Sequence, residues 1–229
     1  MYRHAKYLLF DGTYFHKDGC LIVLMDVVKR GLIDYAYIER ENYYDVHSRM
    51  TDLKEQGLSP AVVTLDGHKL VTRAFMNVWP EIITQRCLFH IENQGLMWIR
   101  SFPKTIAGKE LRTLLKGLTK ISSQQDQDMF QRAYSLWKES HKETIKLLPK
   151  ESVANKDLQR TMRLIDNALP NMFWFIKDSE IAKTTNFLEN FYSQLKHHYQ
   201  RHRGLTTEHK IGYLSWYCYF KSLKSSNTS

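Results

Sequence analysis

Tyr7-Leu8-Leu9-Phe10-Asp11-Gly12-Thr13 and Ala61-Val62-Val63-Thr64-Leu65-Asp66-Gly67 share one pattern, a short apolar run that stops at Asp-Gly. Each run reads as a strand, and Ala61 to Leu65 is apolar enough for one buried on both faces. Between the two, Lys17-Asp18-Gly19 and Lys29-Arg30-Gly31 are turn signals. They bracket Leu21 to Val28, a second strand, and Leu32 to Ile38 is a third, rich in aromatics. Tight turns between consecutive strands favour an antiparallel meander. Tyr43 to Gln56 reads as a helix closed by Gly57, so the Val62 strand is reached through a helical connection.

Beyond Asp66 the pattern continues as helix and strand. Leu70 to Trp79 is helical and stopped by Pro80, and Ile82 to Arg86 is a fifth strand. Cys87-Leu88-Phe89-His90 then opens a helix to about Arg100. From Pro103 to about Lys183 strand signals vanish. Phe130, Ala133, Tyr134, Trp137, His141 and Ile145 recur at helical spacing, and Lys156 to Leu169 is a further helix stopped by Pro170. Thr184-Thr185-Asn186 offers cap residues for a helix that carries Glu189 and ends near Gly204. The organisation expected is an α/β core over residues 1–102, an all-helical insertion over 103–183, and a return to the core over 184–229.

Bulk composition narrows the function class. A hydrophobic share of 43% supports a packed core, and 25% charged residues gives no sign of disorder. No apolar stretch reaches the roughly 20 residues of a membrane span, and no signal-peptide core follows Met1. Cys20, Cys87 and Cys218 are isolated and odd in number, which makes neither a disulfide framework nor a paired zinc ribbon. The net charge is +9 with a pI near 9.3, which suggests a polyanionic partner. That charge concentrates at the end: residues 190–229 hold Lys196, Arg201, Arg203, Lys210, Lys221 and Lys224 against the single acid Glu208. Nucleic-acid contact and a plain solvated basic face are the two readings of that segment.

Asp11 and Asp66 at strand ends project from the core edge into a cleft, and the glycine after each admits a ligand close to the backbone. Two carboxylates on neighbouring strands suit a hard divalent ion such as Mg²⁺, which takes oxygen ligands and keeps open positions for phosphates. Each Asp-Gly taken alone is equally a turn. Glu189 adds a helical carboxylate, and a lone helical Glu is ordinarily a surface residue. Lys196 follows it by about two turns on nearly the same face, and Arg203 by about two more. Such a helix presents a carboxylate and then cations along one stripe.

Taken together, these residues resemble the DDE transposases of the bacterial insertion-sequence and eukaryotic Mutator-like group. Leu8 to Thr13 resembles the first-strand motif with its Asp, and Val63 to Gly67 the second. Gln85-Arg86-Cys87-Leu88-Phe89-His90 resembles the group's C-x2-H motif. Thr184 to Asn190 followed by Lys196 resembles the third-carboxylate helix. The resemblance implies an RNase H-like fold, a mixed five-stranded sheet flanked by helices and interrupted by an all-helical insertion. It implies that Asp11, Asp66 and Glu189 bind two Mg²⁺ or Mn²⁺ ions. One ion activates a water or 3′-hydroxyl and the other stabilises the leaving oxygen. It places His90 beside the active site, where it helps position DNA. Lys196, Arg201 and Arg203 of the basic segment are expected to contact DNA, and Cys87 to be packed. The partners implied are transposon ends and target DNA, within a homo-oligomeric active complex. The location implied is cytoplasmic and nucleoid-associated in a bacterium, or nuclear in a eukaryote.

Such transposases usually carry an N-terminal DNA-binding region, whereas the first strand here begins at about residue 6. The chain is therefore expected to be a piece of a longer protein, or to lack its end-recognition domain. Three functions remain distinct at this stage. They are an active polynucleotidyl transferase, a catalytically silent nucleic-acid-binding remnant or regulator, and an RNase H-like nuclease without strand transfer. His68, beside Asp66-Gly67, is a further candidate for phosphate contact. Trp98, Trp137 and Trp174 are candidates for stacking on a displaced base, against the commoner role of a core residue.

Overall fold

The computed structural model describes residues 5–15, 19–202 and 204–226, so Lys17, Asp18 and Arg203 lie outside the described residues. Five strands, β1 (Tyr7–Tyr14), β2 (Cys20–Asp26), β3 (Leu32–Ile38), β4 (Val62–Leu65) and β5 (Ile83–Arg86), form one mixed sheet in the order β3-β2-β1-β4-β5. The first three strands are the expected antiparallel meander, with Phe10 opposite Leu24 and Ile22 opposite Ala36. β4 instead joins β1 in parallel, with Leu9 opposite Thr64, because helix α1 (Tyr43–Glu55) carries the chain back to the starting edge.

Two compact units make up the chain. The first is Met1–Gln85 with Glu180–Ser229, and the second is Arg86–Ser179. These divisions fall before the 102/103 and 183/184 positions expected from composition. Helix α3 (Leu88–Ile99) joins the second unit because it packs on its own successors. Gly95 lies against the Leu115 side chain of α4 (Ile106–Leu115) so closely that a Cβ there would come within 2.8 Å of it.

In the first unit, strand alternation feeds two cores. Leu8, Phe10, Ile22, Leu24, Val63 and Leu65 face α1 and α2 (Lys69–Val78), where Met50 and Phe75 are buried. Leu9, Leu21, Val23 and Met25 face the other way, onto α8 (Asn186–Tyr199) and α9 (Thr207–Ser226). Apolar residues on both faces explain why β1 and β2 lack an alternating polar pattern. Asp26 is buried too, but its Oδ1 accepts the N–H groups of Val28 and Lys29 at 2.8 and 3.1 Å, so it builds the β2–β3 turn.

The second unit is helical, with α5 (Gln124–Leu147), α6 (Val153–Ala168) and the single turn α7 (Trp174–Lys177) following α4, and no strand among the described residues of 103–183. Phe130, Tyr134, Trp137 and Ile145 form the buried face of α5, as their spacing required. Trp137 donates Nε1–H to the Ala107 carbonyl at 3.1 Å, which makes it a core residue. Trp174 Nε1 lies 3.3 Å from Asn171 Oδ1, and Trp98 is half-buried with the Arg160 guanidinium 5.3 Å from its ring. Asp157 accepts from Arg100 at 2.7 Å and from Arg160 at 2.6 Å, tying α6 to the end of α3. Among the described residues, no helix is long and apolar enough to cross a membrane.

Candidate active site

β1 and β4 run parallel and adjacent, so Asp11 and Asp66 come from neighbouring strands of the sheet. Asp11 does not end its strand, as the Asp-Gly pattern had suggested. β1 continues to Tyr14 because β2 keeps pairing with it, Thr13 to Leu21 and Tyr14 to Cys20. What ends near Asp11 is the pairing with β4, whose last register pair is Leu9 with Thr64. Asp11 thus lies where β1 has a strand on one side only. Its side chain is on the α8 face with Leu9 and is buried, 7% exposed, and Oδ1 accepts the Gly12 N–H at 2.9 Å.

Asp66 follows directly on β4 and is half-buried. Its Oδ1 accepts the His68 N–H at 2.7 Å, an Asx turn that aims the chain into α2 with His68 at the helix cap. Gly67 has φ 87°, a conformation that disfavours any side chain, so this Asp-Gly is a turn as well as a carboxylate at a strand end.

Glu189 lies in the first turn of α8, where a carboxylate also complements the helix dipole. Three contacts hold this helix start. Glu189 N–H bonds the Thr185 carbonyl at 3.1 Å, and Thr64 of β4 donates Oγ1–H to the Ala182 carbonyl at 2.7 Å. Arg30 stacks 4.4 Å from the Phe187 ring centre. The Thr185 side chain makes no cap bond to α8, so the cap expected there acts through its backbone alone. As a result, carboxylate oxygens of Asp11 and Glu189 lie within 4.8 Å of one another.

Glu189 and Lys196 line one open groove of about 440 Å³ along α8, together with Thr13, Tyr192, Ser193, His197 and Gln200. Lys196 is half-buried with Nζ 5.7 Å from the Phe15 ring centre. Arg201 is exposed on the 3-10 turn that extends α8, and Arg203 lies outside the described residues. His90 is half-buried on α3 and Cys87 fully buried at that helix's cap, both in the second unit. Lys210, read from sequence as part of the basic surface, is instead buried with Nζ 5.8 Å from the Tyr37 ring centre.

Two residues near Asp11 carried no usable sequence signal. Tyr192 of α8 donates its hydroxyl to the Asp11 carbonyl at 2.6 Å across the core. The Glu41 carboxylate occupies the space that a Cβ on Gly12 would need, on the opposite face from the Asp11 side chain. The Cys20 thiol between β2 and α1 is pushed up to about 12, by burial first and then by the carboxylates of Glu41 and Asp11.

The sequence matches the family described as "Transposase, Mutator family" over residues 28–208. The chain belongs to the Mutator family of transposases. The matched span begins beyond Asp11 and contains Asp66 and Glu189. No curated protein matches the chain.

Proposed function

We propose that this Mutator-family chain is the catalytic domain of a DNA transposase, with an RNase H-like fold on which Asp11, Asp66 and Glu189 hold two Mg²⁺ or Mn²⁺ ions for strand cleavage and strand transfer. The observation that carries the reading is the approach of Asp11 and Glu189, from opposite ends of the chain, to within 4.8 Å at the place where β1 outruns β4. Two carboxylates at that spacing fit divalent ions, and Asp66 follows the adjacent strand to supply the third carboxylate. The 32145 strand order with helices on both faces supports the RNase H-like assignment.

Bound there, divalent ions supply Lewis-acid stabilisation of phosphoryl and leaving oxygens and an activated nucleophile. The protein's own residues set position. Asp11 is fixed by its strand and by the Gly12 N–H, Asp66 by the turn to His68, and Glu189 by the first turn of α8. The groove along α8, running from Glu189 past Ser193 to Lys196 and His197, is the path for a DNA backbone, with Arg201 beyond it. DNA affinity then comes from cations that are separate from the carboxylates.

The test uses a pre-cut transposon end and Mg²⁺-dependent cleavage and joining. Asp11→Asn, Asp66→Asn and Glu189→Gln each lower both activities by orders of magnitude while DNA binding persists. Normal strand transfer by Glu189→Gln removes Glu189 from the ligand set. Cleavage without joining by the unaltered chain identifies a nuclease, and binding without either identifies a silent DNA-binding protein.

A further inference from the structure

Glu189 and Tyr192 are one helical turn apart on α8, so they share a face of the helix. Glu189 reaches towards the Asp11 carboxylate while Tyr192 reaches the Asp11 backbone. The Tyr192 hydroxyl donates to that carbonyl at 2.6 Å, and its side chain is only 3% exposed.

Apolar packing alone does not call for this hydroxyl. Leu188, Phe191 and Leu195 already seat α8 on Leu9, Leu21 and Val23, and a phenylalanine at 192 would fill the same space. Packing of this kind resists separation better than it resists small slides, because neighbouring side-chain ridges interchange at low cost. Divalent ligands tolerate only a few tenths of an ångström of misplacement. A hydrogen bond from the helix to the backbone of the very residue whose carboxylate must be met removes that freedom. The linkage is short. Glu189 connects through one turn of helix to Tyr192, then to the Asp11 carbonyl, and the Asp11 carboxylate is itself fixed by the Gly12 N–H at 2.9 Å.

We infer that Tyr192 is a positioning residue that sets the separation of the Asp11 and Glu189 carboxylates and thereby the affinity of the site for divalent metal. This inference rests on the proposed reading of Asp11 and Glu189 as metal ligands. It assigns Tyr192 no part in proton transfer.

The experiment measures Mn²⁺ binding by calorimetry and electron paramagnetic resonance on the DNA-free protein, alongside thermal unfolding in chelator. Four proteins are compared: the unaltered chain, Tyr192→Phe, Tyr217→Phe and Asp11→Asn. Tyr217 is the matched control. It lies on α9 with its ring 5.8 Å from Phe191 of α8, and its hydroxyl is buried with no hydrogen-bond partner among the described residues. Tyr192→Phe should raise the Mn²⁺ dissociation constant about fivefold, the worth of one hydrogen bond, while Tyr217→Phe leaves it unchanged. In the cleavage assay the metal midpoint should rise by the same factor, with the rate restored at saturating Mn²⁺. Unaltered Mn²⁺ affinity in Tyr192→Phe overturns the inference. So does equal weakening in Tyr217→Phe, or failure of Tyr192→Phe to fold, since either makes the phenol a packing element. Unaltered affinity in Asp11→Asn instead overturns the proposed metal site itself.

Discussion

Gly12→Ala tests how tightly the surroundings of Asp11 are built. Gly12 does not adopt a positive φ, so an alanine there meets no backbone penalty and the cost is steric. The new Cβ overlaps the Glu41 carboxylate and lies 3.0 Å from the Cys20 Sγ. Overpacking of this kind costs about 1–3 kcal/mol, towards the low end here because the Glu41 carboxylate is the far end of a flexible side chain. The loss of glycine's freedom in the unfolded chain returns about 0.4–1 kcal/mol, which leaves a net loss of about 1 kcal/mol or less. Most of the clash is with Glu41, so in a Glu41→Ala background the same change should be close to neutral. The double-mutant cycle then gives a coupling of about 1 kcal/mol between two residues far apart in sequence. Hydrogen exchange of the β1 and β2 amides is the suitable readout, because the chain's two compact units need not unfold together. Simple additivity of the two substitutions, within about 0.5 kcal/mol, would refute the placement of Glu41 over Gly12.

Other consequences follow from the same geometry. Lys196→Ala should weaken DNA binding and lower the slope of log K against log salt by about one unit, and an unchanged slope would show that the groove along α8 carries no phosphate. Asp157→Ala leaves Arg100 and Arg160 without their shared carboxylate. Both cations are partly solvated, so destabilisation of the second unit should be about 1–3 kcal/mol, visible as faster proteolysis between α3 and α6. Burial keeps the Cys20 and Cys218 thiols protonated up to about 12, against 9.0 for a free thiol. The unfolded chain therefore loses these protons first, so stability should be level below about pH 9 and fall between 9 and 12. Neither thiol should react with iodoacetamide at pH 8 until the protein unfolds.

The meander, the two apolar strands before Asp-Gly and the helical stretch were legible because each depends on local periodicity. The β1 run of Leu8, Leu9 and Phe10 alternates between two cores, which is what an unbroken apolar strand means physically. The end of β1 was misread, since Asp11-Gly12 has the composition of a turn and only its pairing with Val23 and Ile22 keeps it extended. At Asp66 the turn reading holds, for Gly67 has a positive φ and Asp66 Oδ1 caps the turn. The start of the second unit could not be found from sequence. The apolar face of α3 looks the same whether it packs on a sheet or, as it does, on α4 and α6. Tyr192 and Glu41 were hidden for a different reason. Tyr192 fits the core spacing of Leu188, Phe191 and Leu195, and only the fold reveals that its hydroxyl ends on Asp11.

A difference in strand length explains why Asp11 and Glu189 approach one another where they do. β4 has four residues and β1 has eight, with their pairing registered from Tyr7–Val62 to Leu9–Thr64. Past that point β2 is the only strand paired with β1 among the described residues, and the sheet opens between β1 and β4. Asp66 turns away at this opening, and Thr64, the last β4 residue in register, draws in the chain leading to α8 through the Ala182 carbonyl. The start of α8, with Glu189 in its first turn, is thereby delivered to the same opening as Asp11. Extending β4 by two paired residues would place backbone opposite Asp11 and close that space. The short β4 gives up ladder hydrogen bonds inside the sheet and leaves open space beside Asp11 that a continuous sheet would fill.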